Sequence, residues 1–168
     1  MNKQKLLIEI NQRGESRAKP RTFIMQLSSF DTSHTGAAVG TPEVLIPLDA
    51  QSFFPQLLMS PNRKYPDAYF RVSLDTPTGP ETHRYRLWYY GTRAVGTQIN
   101  ECRLRLDHRT VELTTGSGNL LVINKLPDGS NPAYEAAILT PSDPFYKDFL
   151  SWCTQVAGTQ GTKRYGIV

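Results

Sequence analysis

Hydrophobic residues recur mostly at alternate positions, in short runs separated by Gly, Pro, Asn and Asp. Alternation with a period of two is typical of half-buried β-strands, because successive side chains point to opposite faces. The pattern predicts seven or so strands among eight candidate segments, which are 22–28, 43–47, 68–74, 83–90, 102–106, 109–113, 119–125 and 134–140. In the run 83–90, Tyr85 and Leu87 share one face with Tyr89, whereas Arg84 and Arg86 share the other with Trp88.

Two segments have helical rather than alternating spacing. Residues 49–58 can form one or two turns after Asp49 as N-cap, and residues 142–156 can form a helix capped by Asp143. The apolar stripe of the second helix is expected to pack in the core; it comprises Phe145, Phe149, Trp152, Cys153 and Val156. Many short strands with two short helices predict a mainly β barrel or sandwich with helices at its ends.

The segment 11–21 differs from the rest of the chain in being polar and basic, with Gly14 and Pro20 as helix breakers. It is typical of a linker or flexible arm. We therefore expect residues 1–21 to be a linker or arm and residues 22–168 to be one domain. If the chain is part of a larger protein, the junction is expected near this segment.

Composition adds two constraints. The chain has 19 Lys and Arg against 15 Asp and Glu, a net charge of +4, which weakly favours a polyanionic partner. Cys102 and Cys153 do not form a CxxC pair and are expected to be reduced thiols. No segment resembles a signal peptide, and no apolar run approaches the roughly 20 residues of a membrane helix. These features predict a cytoplasmic protein without a membrane partner.

Motifs for catalysis can be checked directly. None of the seven lysines has Asp, Glu or His two residues before it, which excludes the (D/E)-x-K and H-x-K motifs of two nuclease classes. Walker A, HExxH and GxSxG motifs are absent from the sequence. His34, His83 and His108 lack the ligand set of a zinc site. We expect neither a metal nor another cofactor, although a hydrolase with dispersed Ser, His and Asp stays possible.

Three stretches carry a resemblance to a known family: QLSSFDTSHTGAAVG (26–40) with the following EVLIP and FFPQL, YYGTRAVGTQINECRLRL (89–106), and GTKRYGIV (161–168). They resemble the DNA-recognition domains of type II restriction endonucleases of the EcoRII (N-terminal domain), BfiI (C-terminal domain) and NgoAVII kind. The resemblance covers roughly residues 22–168. It implies a seven-stranded open pseudobarrel with two short helices, the fold of plant B3 DNA-binding domains.

The resemblance also implies a function. Such domains bind double-stranded DNA sequence-specifically in the major groove with two arms, and the nuclease is a separate domain of the parent protein. The first arm would be residues 28–40 and the second arm residues 92–105. The residues expected to bind DNA are Ser28, Asp31, Thr32, Ser33, His34 and Thr35 in the first arm, Arg93, Thr97, Gln98, Asn100, Glu101, Arg103 and Arg105 in the second arm, and Lys163 and Arg164 in the tail.

These residue types suit the task. Arg can bridge guanine O6 and N7, Asn or Gln can pair with adenine, and a carboxylate can accept from cytosine N4. Asp31 and Glu101 are therefore interpreted as cytosine readers or as groups that orient a neighbouring Arg. Lys163 and Arg164 suit phosphate contacts, as do the basic residues of the segment 11–21. EcoRII-type domains carry several basic residues in the second arm, whereas this chain has Ala94, Val95, Thr97 and Ile99 there.

Other interpretations stay open from the residues alone. Residues 31–36 also suit an ordinary turn, Asn100 and Glu101 a strand end, and Arg103 and Arg105 a solvated strand face. His83, Arg84 and Arg86 are expected to be strand-surface residues rather than DNA contacts. A carbohydrate- or protein-binding β module would be equally rich in strands and aromatic residues. A barrel that binds single-stranded DNA and a nuclease in its own right are further alternatives.

Overall fold

The computed structural model describes residues 1–14, 19–28, 31, 42–94, 97–157 and 163–168. Their elements are α1 (Lys3–Gly14), β1 (Thr22–Gln26), β2 (Glu43–Ile46), a 3-10 helix (Leu48–Phe53), β3 (Asp67–Thr76), β4 (Gly79–Ala94), β5 (Thr97–Arg105), α2 (His108–Glu112), β6 (Leu120–Lys125), β7 (Tyr134–Leu139), α3 (Tyr146–Ser151), β8 (Gln155–Ala157) and β9 (Lys163–Ile167). None of the helices in these ranges is long and apolar enough to span a membrane.

The strands form one sheet of nine in the order β2-β5-β4-β3-β7-β6-β1-β9-β8. Neighbouring strands are antiparallel except for β3 and β7, which are parallel. One buried cluster contains inward-facing residues of every strand, from Val44 on β2 through Tyr85 on β4 to Ala157 on β8. A sheet whose two ends contact the same core must curl around it. The expected open β pseudobarrel is confirmed, with nine strands among the described residues rather than seven.

The 3-10 helix belongs to this interior, because Phe53 and the following Phe54 are buried there. The ring of Phe54 lies 5.2 Å from that of Phe23 on β1 in an edge-on arrangement. Tyr165 on β9 donates a hydrogen bond of 2.5 Å to Asp49 of the 3-10 helix. The helix expected after Asp49 is thus present as a single 3-10 element that packs into the barrel interior.

A second apolar layer lies on the outside of β1, β6 and β7. Strand β1 is buried on both faces, since Phe23 and Met25 belong to the interior and Ile24 to the outer layer. Leu6 and Ile10 of α1 and Phe149 of α3 cover this outer surface. We expected a linker or arm over residues 11–21, but residues 11–14 complete α1, which packs on the sheet through its apolar side. The domain boundary at residue 21 stays a prediction.

Two expected elements are wrong. Residues 109–113 were expected to be a strand, but most of them lie in α2, because the side chain of Asp107 accepts a 2.9 Å hydrogen bond from the backbone N–H of Thr110 and caps a helix. The helix expected over residues 142–156 is limited to α3, and residues 155–157 form β8 against β9. Pairing with β9 leaves Val156 55% exposed rather than in the core.

Candidate nucleic-acid interface

The structure describes only part of the predicted arms. Thr32, Ser33, His34 and Thr35 lie outside the described residues. Arg93, Thr97, Gln98 and Asn100 are described by their backbone alone. The site is therefore built from seven side chains, namely Ser28, Asp31, Glu101, Arg103, Arg105, Lys163 and Arg164.

The described part of the second arm is a β-hairpin. Strands β4 and β5 pair continuously along it, from Arg86 opposite Arg105 to Ala94 opposite Thr97. Glycines at 91 and 96 punctuate the sequence, but the backbone groups of the hairpin still pair in register. A paired hairpin presents its side chains in fixed alternation, so Glu101, Arg103 and Arg105 lie on one face and Cys102 and Leu104 are buried on the other.

A cluster of two arginines and two carboxylates lies on the outward face of this hairpin. The Nε and Nη2 atoms of Arg103 donate to Glu101 Oε2 at 2.9 and 2.6 Å, and Nη1 donates to Glu43 Oε2 at 3.2 Å. Arg105 donates through Nε and Nη2 to Glu43 Oε1 at 3.1 and 2.6 Å. Burial lowers the pKa of Arg103, but the bonds to Glu101 and Glu43 raise it above its ordinary value. Arg103 is therefore a permanent cation with an oriented guanidinium.

Asp31 has a different environment from the one expected of a base reader. It is only 3% exposed. Its Oδ2 accepts bonds of 2.7 Å from both the backbone N–H and the hydroxyl of Ser28, and its Oδ1 accepts one of 2.7 Å from Lys163 Nζ. The carboxylate thus joins the end of β1 to β9. This arrangement favours an orienting role, directed at a lysine rather than an arginine.

Lys163 and Arg164 open β9, next to the first arm. Lys163 is partly buried by its contact with Asp31, whereas Arg164 is exposed opposite Val156 of β8. Arg164 is thus accessible to a polyanion in this structure, and the ammonium group of Lys163 is held by a carboxylate. Their contact with phosphates stays a prediction.

Two described residues near the first arm form ion pairs with other parts of the site. Asp31, near the start of the first arm, binds Lys163 of β9, and Glu43, three residues after the arm ends at residue 40, binds Arg103 and Arg105 of the second arm. Pro42 also accepts a 3.1 Å backbone bond from Leu106, just after β5. Asp31 is therefore joined to the tail, and residues 42 and 43 are joined to the second arm.

Sequence reasoning missed Glu43 and Trp88 as parts of this site. Glu43 begins an apolar strand, and its partners are 60 and 62 residues away along the chain. Trp88 lies directly opposite Arg103 in the β4–β5 register, with the guanidinium carbon 5.8 Å from its ring. The alternation of residues 83–90 did place Trp88 on the face of Arg84 and Arg86, which was the available signal.

Chemistry other than binding has little support among the described side chains. No group of three or more His, Cys, Asp and Glu in that part of the chain could hold a metal ion. Both cysteines are buried free thiols, and burial raises the pKa of Cys102 to about 11 and that of Cys153 to about 12. Because the thiolate is the nucleophile, both groups are inert near neutral pH.

Comparison with known proteins supports the fold. No protein-family model and no curated protein matches the chain. Among solved structures, the chain is similar to the B3 domain of the UbaLAI restriction endonuclease, crystallised with its cognate DNA. The two share 18% sequence identity with a TM-score of 0.57, over 97% of this chain and 99% of that domain. The chain therefore has the B3-like pseudobarrel fold of restriction-enzyme DNA-recognition domains.

Proposed function

We propose that the chain recognises a short sequence in double-stranded DNA, with the two arms reading base edges in the major groove. In this proposal it is the specificity domain of a type II restriction endonuclease, and a separate nuclease domain of the parent protein cuts the DNA. The observation that carries the proposal is the cluster of Glu43, Glu101 and Arg103 on the outward face of the second arm. The likeness to a B3 domain crystallised with cognate DNA supports it.

The cluster suits base reading for a physical reason. A guanidinium distinguishes guanine only if its plane is fixed, because bidentate bonding to O6 and N7 needs two parallel N–H groups. Glu101 and Glu43 fix that plane through three of the five N–H donors of Arg103. The carboxylates also offset positive charge at this point, which suits specificity more than non-specific affinity.

The proposal assigns no catalysis to this chain. The nuclease lysine motifs are absent from the sequence, and the two thiols are buried with raised pKa values. The purified chain is thus expected to bind DNA without cutting it, with or without Mg²⁺.

The test is selection of bound duplexes from a random-sequence pool with the purified chain. One short enriched motif is the expected result, and an unenriched pool would overturn the proposal. Titrations of the selected duplex at several salt concentrations separate it from a carbohydrate- or protein-binding module, because DNA binding weakens steeply as salt rises. Stronger binding to the single strand than to the duplex would favour a single-strand-binding barrel instead.

A further inference from the structure

Arginines and aromatic residues continue beyond the arms across the outward face of β3 and β4. Tyr85 and Leu87 point into the barrel with no exposed surface, so Arg84, Arg86 and Trp88 between and beside them point outward. We call the outward surface of β2, β5, β4 and β3, together with Arg63 just before β3, the arginine face; its described charged and aromatic residues are Glu43, Arg63, Asp67, Tyr69, Arg71, Asp75, Arg84, Arg86, Trp88, Glu101, Arg103 and Arg105.

The register places like charges directly opposite each other on this face. Arg71 pairs with Arg84 between β3 and β4, and Arg86 pairs with Arg105 between β4 and β5. Directly opposed like charges destabilise a sheet. Among the described residues, six arginines and four carboxylates lie on the face, and one of these carboxylates, Asp75, is paired with the amino group of Met1, so the face carries a net positive charge. Repulsion between these arginines lowers the stability of the isolated fold, and an anionic partner bound to the face would offset that repulsion.

Three arginines of the face surround the ring of Tyr69 on β3. The guanidinium carbons of Arg84, Arg63 and Arg86 lie 4.0, 5.1 and 5.7 Å from its ring centre. Arg63 also donates a 3.0 Å hydrogen bond to the hydroxyl of Tyr69, and this bond is the largest cause of the raised pKa of Arg63. Stacking on a ring orients a guanidinium without neutralising it, so the positive charge stays available to a partner.

Asp67 limits the number of fixed cations. Its carboxylate pairs with Arg63 and, at 2.8 Å, with Arg86 Nε. Neither Arg71 nor Arg84 forms an ion pair with another of the described residues, and both are exposed. These two arginines are therefore the best placed on the face for an external anion.

The face is continuous with the base-reading cluster. Trp88 lies 5.8 Å from the guanidinium of Arg103 and 5.4 Å from that of Arg86, which also contacts Tyr69. Arg84 is four residues from Trp88 along β4, which is about 13 Å at the usual rise of a strand. That distance is close to the roughly 12 Å width of the major groove. If Arg103 reads a base in the major groove, the sugar–phosphate backbone at the edge of that groove therefore lies within reach of Arg84.

We propose that the arginine face binds the phosphate backbone of the duplex next to the groove that the arms read, with Arg71 and Arg84 as phosphate contacts. This inference rests on the proposed function and deepens it, because it extends the interface beyond the arms. Phosphate contacts position a protein on DNA without specifying sequence. The face then contributes affinity and salt dependence, and the arms contribute base preference.

The test compares Arg71→Gln/Arg84→Gln with the wild-type chain on the selected duplex over a salt series. The logarithm of the binding constant falls linearly with the logarithm of the salt concentration, and each lost phosphate contact makes this fall shallower by about 0.9. The double variant is therefore expected to have a slope about 1.8 smaller in magnitude than that of wild type. Selection from the random pool should return the same motif as wild type. A variant with Arg84→Lys, which keeps the charge, should keep most of the slope.

Lys125→Gln/Lys147→Gln is the matched control, since it removes two exposed positive charges from β6 and α3. It should leave the slope close to that of wild type. If the face variant and the control change the slope equally, or if neither changes it, the inference is overturned although the proposed function stands. If wild type itself enriches no motif, the proposed function fails first. Thermal unfolding of the face variant should occur at or slightly above the wild-type temperature, because the change removes two exposed like charges that face each other.

Discussion

The Nζ atom of Lys163 lies 2.6 Å from one carboxylate oxygen of Asp31, with the side chain of Asp31 4% and that of Lys163 19% exposed. This ion pair joins the start of the first arm to β9, 132 residues away along the chain. A carboxylate that is nearly inaccessible to solvent depends on its protein partners, because water cannot replace them. The pair therefore holds Asp31, near the start of the first arm, against β9.

Lys163→Ala is expected to lower the free energy of unfolding by roughly 1–3 kcal/mol, because it leaves the Asp31 carboxylate buried with fewer donors. It should also weaken binding to all DNA sequences alike. Adding Asp31→Ala should cost less than the sum of the single changes, since the orphaned carboxylate is then gone. Urea denaturation of the two single variants and the double variant measures this coupling.

Arg164→Ala is the matched control for that cycle. Arg164 adjoins Lys163 on β9 and is exposed. Its removal should leave the free energy of unfolding within about 0.5 kcal/mol of wild type. Strictly additive effects of Asp31→Ala and Lys163→Ala would show that the pair does not stabilise the fold.

A second prediction concerns base reading by Arg103. Arg103→Ala should relax the preference at one base position and cost roughly 1–3 kcal/mol on the selected duplex. Arg103→Lys keeps the charge but not the two-pronged donor, so it should also relax that position while retaining the salt slope. Selection with each variant gives the readout, and an unchanged motif from both would exclude Arg103 as a base reader.

Glu101→Gln adds a check on the orienting role. Glu101 accepts two bonds from Arg103, and the amide keeps the shape of the side chain while losing the charge. If Glu101 orients the guanidinium, its variant should relax the same base position as Arg103→Ala. If it reads cytosine itself, a neighbouring position should relax instead.

The sequence predicted the barrel because the alternation of apolar residues reports strands locally. The strand around Tyr85 follows directly from that period, whereas those around Phe23 and Ile123 are short continuous apolar runs because both of their faces are buried. The segment 109–113 fits a strand and a helix equally well, and the capping side chain of Asp107 decides for the helix. Five residues carry too little periodicity to settle such a choice.

The candidate site was less accessible to prediction. The resemblance indicated Arg103, Glu101, Asp31 and Lys163, but neither Glu43 nor the ion pair between Asp31 and Lys163. Glu43 reaches Arg103 only because β2 pairs with β5, and Lys163 reaches Asp31 only because β9 lies beside β1. Register over these distances depends on how the whole sheet closes, which no local pattern encodes. The same holds for Tyr69 and the arginines that stack on it.

The third prediction is steric. A Cβ atom added to Gly166 would lie 2.0 Å from the backbone oxygen of Trp152, because β9 passes directly over the residues that follow α3. Backbone cannot rotate away as a side chain can, so Gly166→Ala should cost at least the upper part of the roughly 1–3 kcal/mol typical of overpacking. Urea denaturation tests it.

Gly129→Ala is a useful comparison because it separates the steric clash of an added Cβ atom from the cost of a left-handed backbone conformation. Gly129 has a φ of +87° and nothing within 4 Å of an added Cβ. Its replacement should cost only the roughly 1–2 kcal/mol of a left-handed residue. A Gly166 variant no less stable than the Gly129 variant would contradict the close approach of β9 to Trp152.

The last prediction is a loss of stability at alkaline pH. Burial raises the pKa of Cys102 to about 11 and that of Cys153 to about 12, whereas an unfolded thiol ionises near pH 8.5. Between these values the unfolded chain releases protons that the folded chain retains, so the free energy of unfolding falls as pH rises. Each thiol contributes fully below about pH 8.5 and loses about 1.4 kcal/mol per pH unit above it, until its folded pKa is reached.

Urea denaturation between pH 8 and 10.5, with a reducing agent present, measures this slope. Cys102→Ala leaves a cavity that lowers stability at every pH, so the slopes and not the absolute values must be compared. Burial also raises the pKa of Tyr134 to about 12, but an unfolded tyrosine ionises only near pH 10, so the thiols dominate the lower part of the window. The alanine variant should therefore show a shallower fall between pH 8.5 and 10. An equal slope in both proteins would mean that the Cys102 thiol is accessible to water in the folded state.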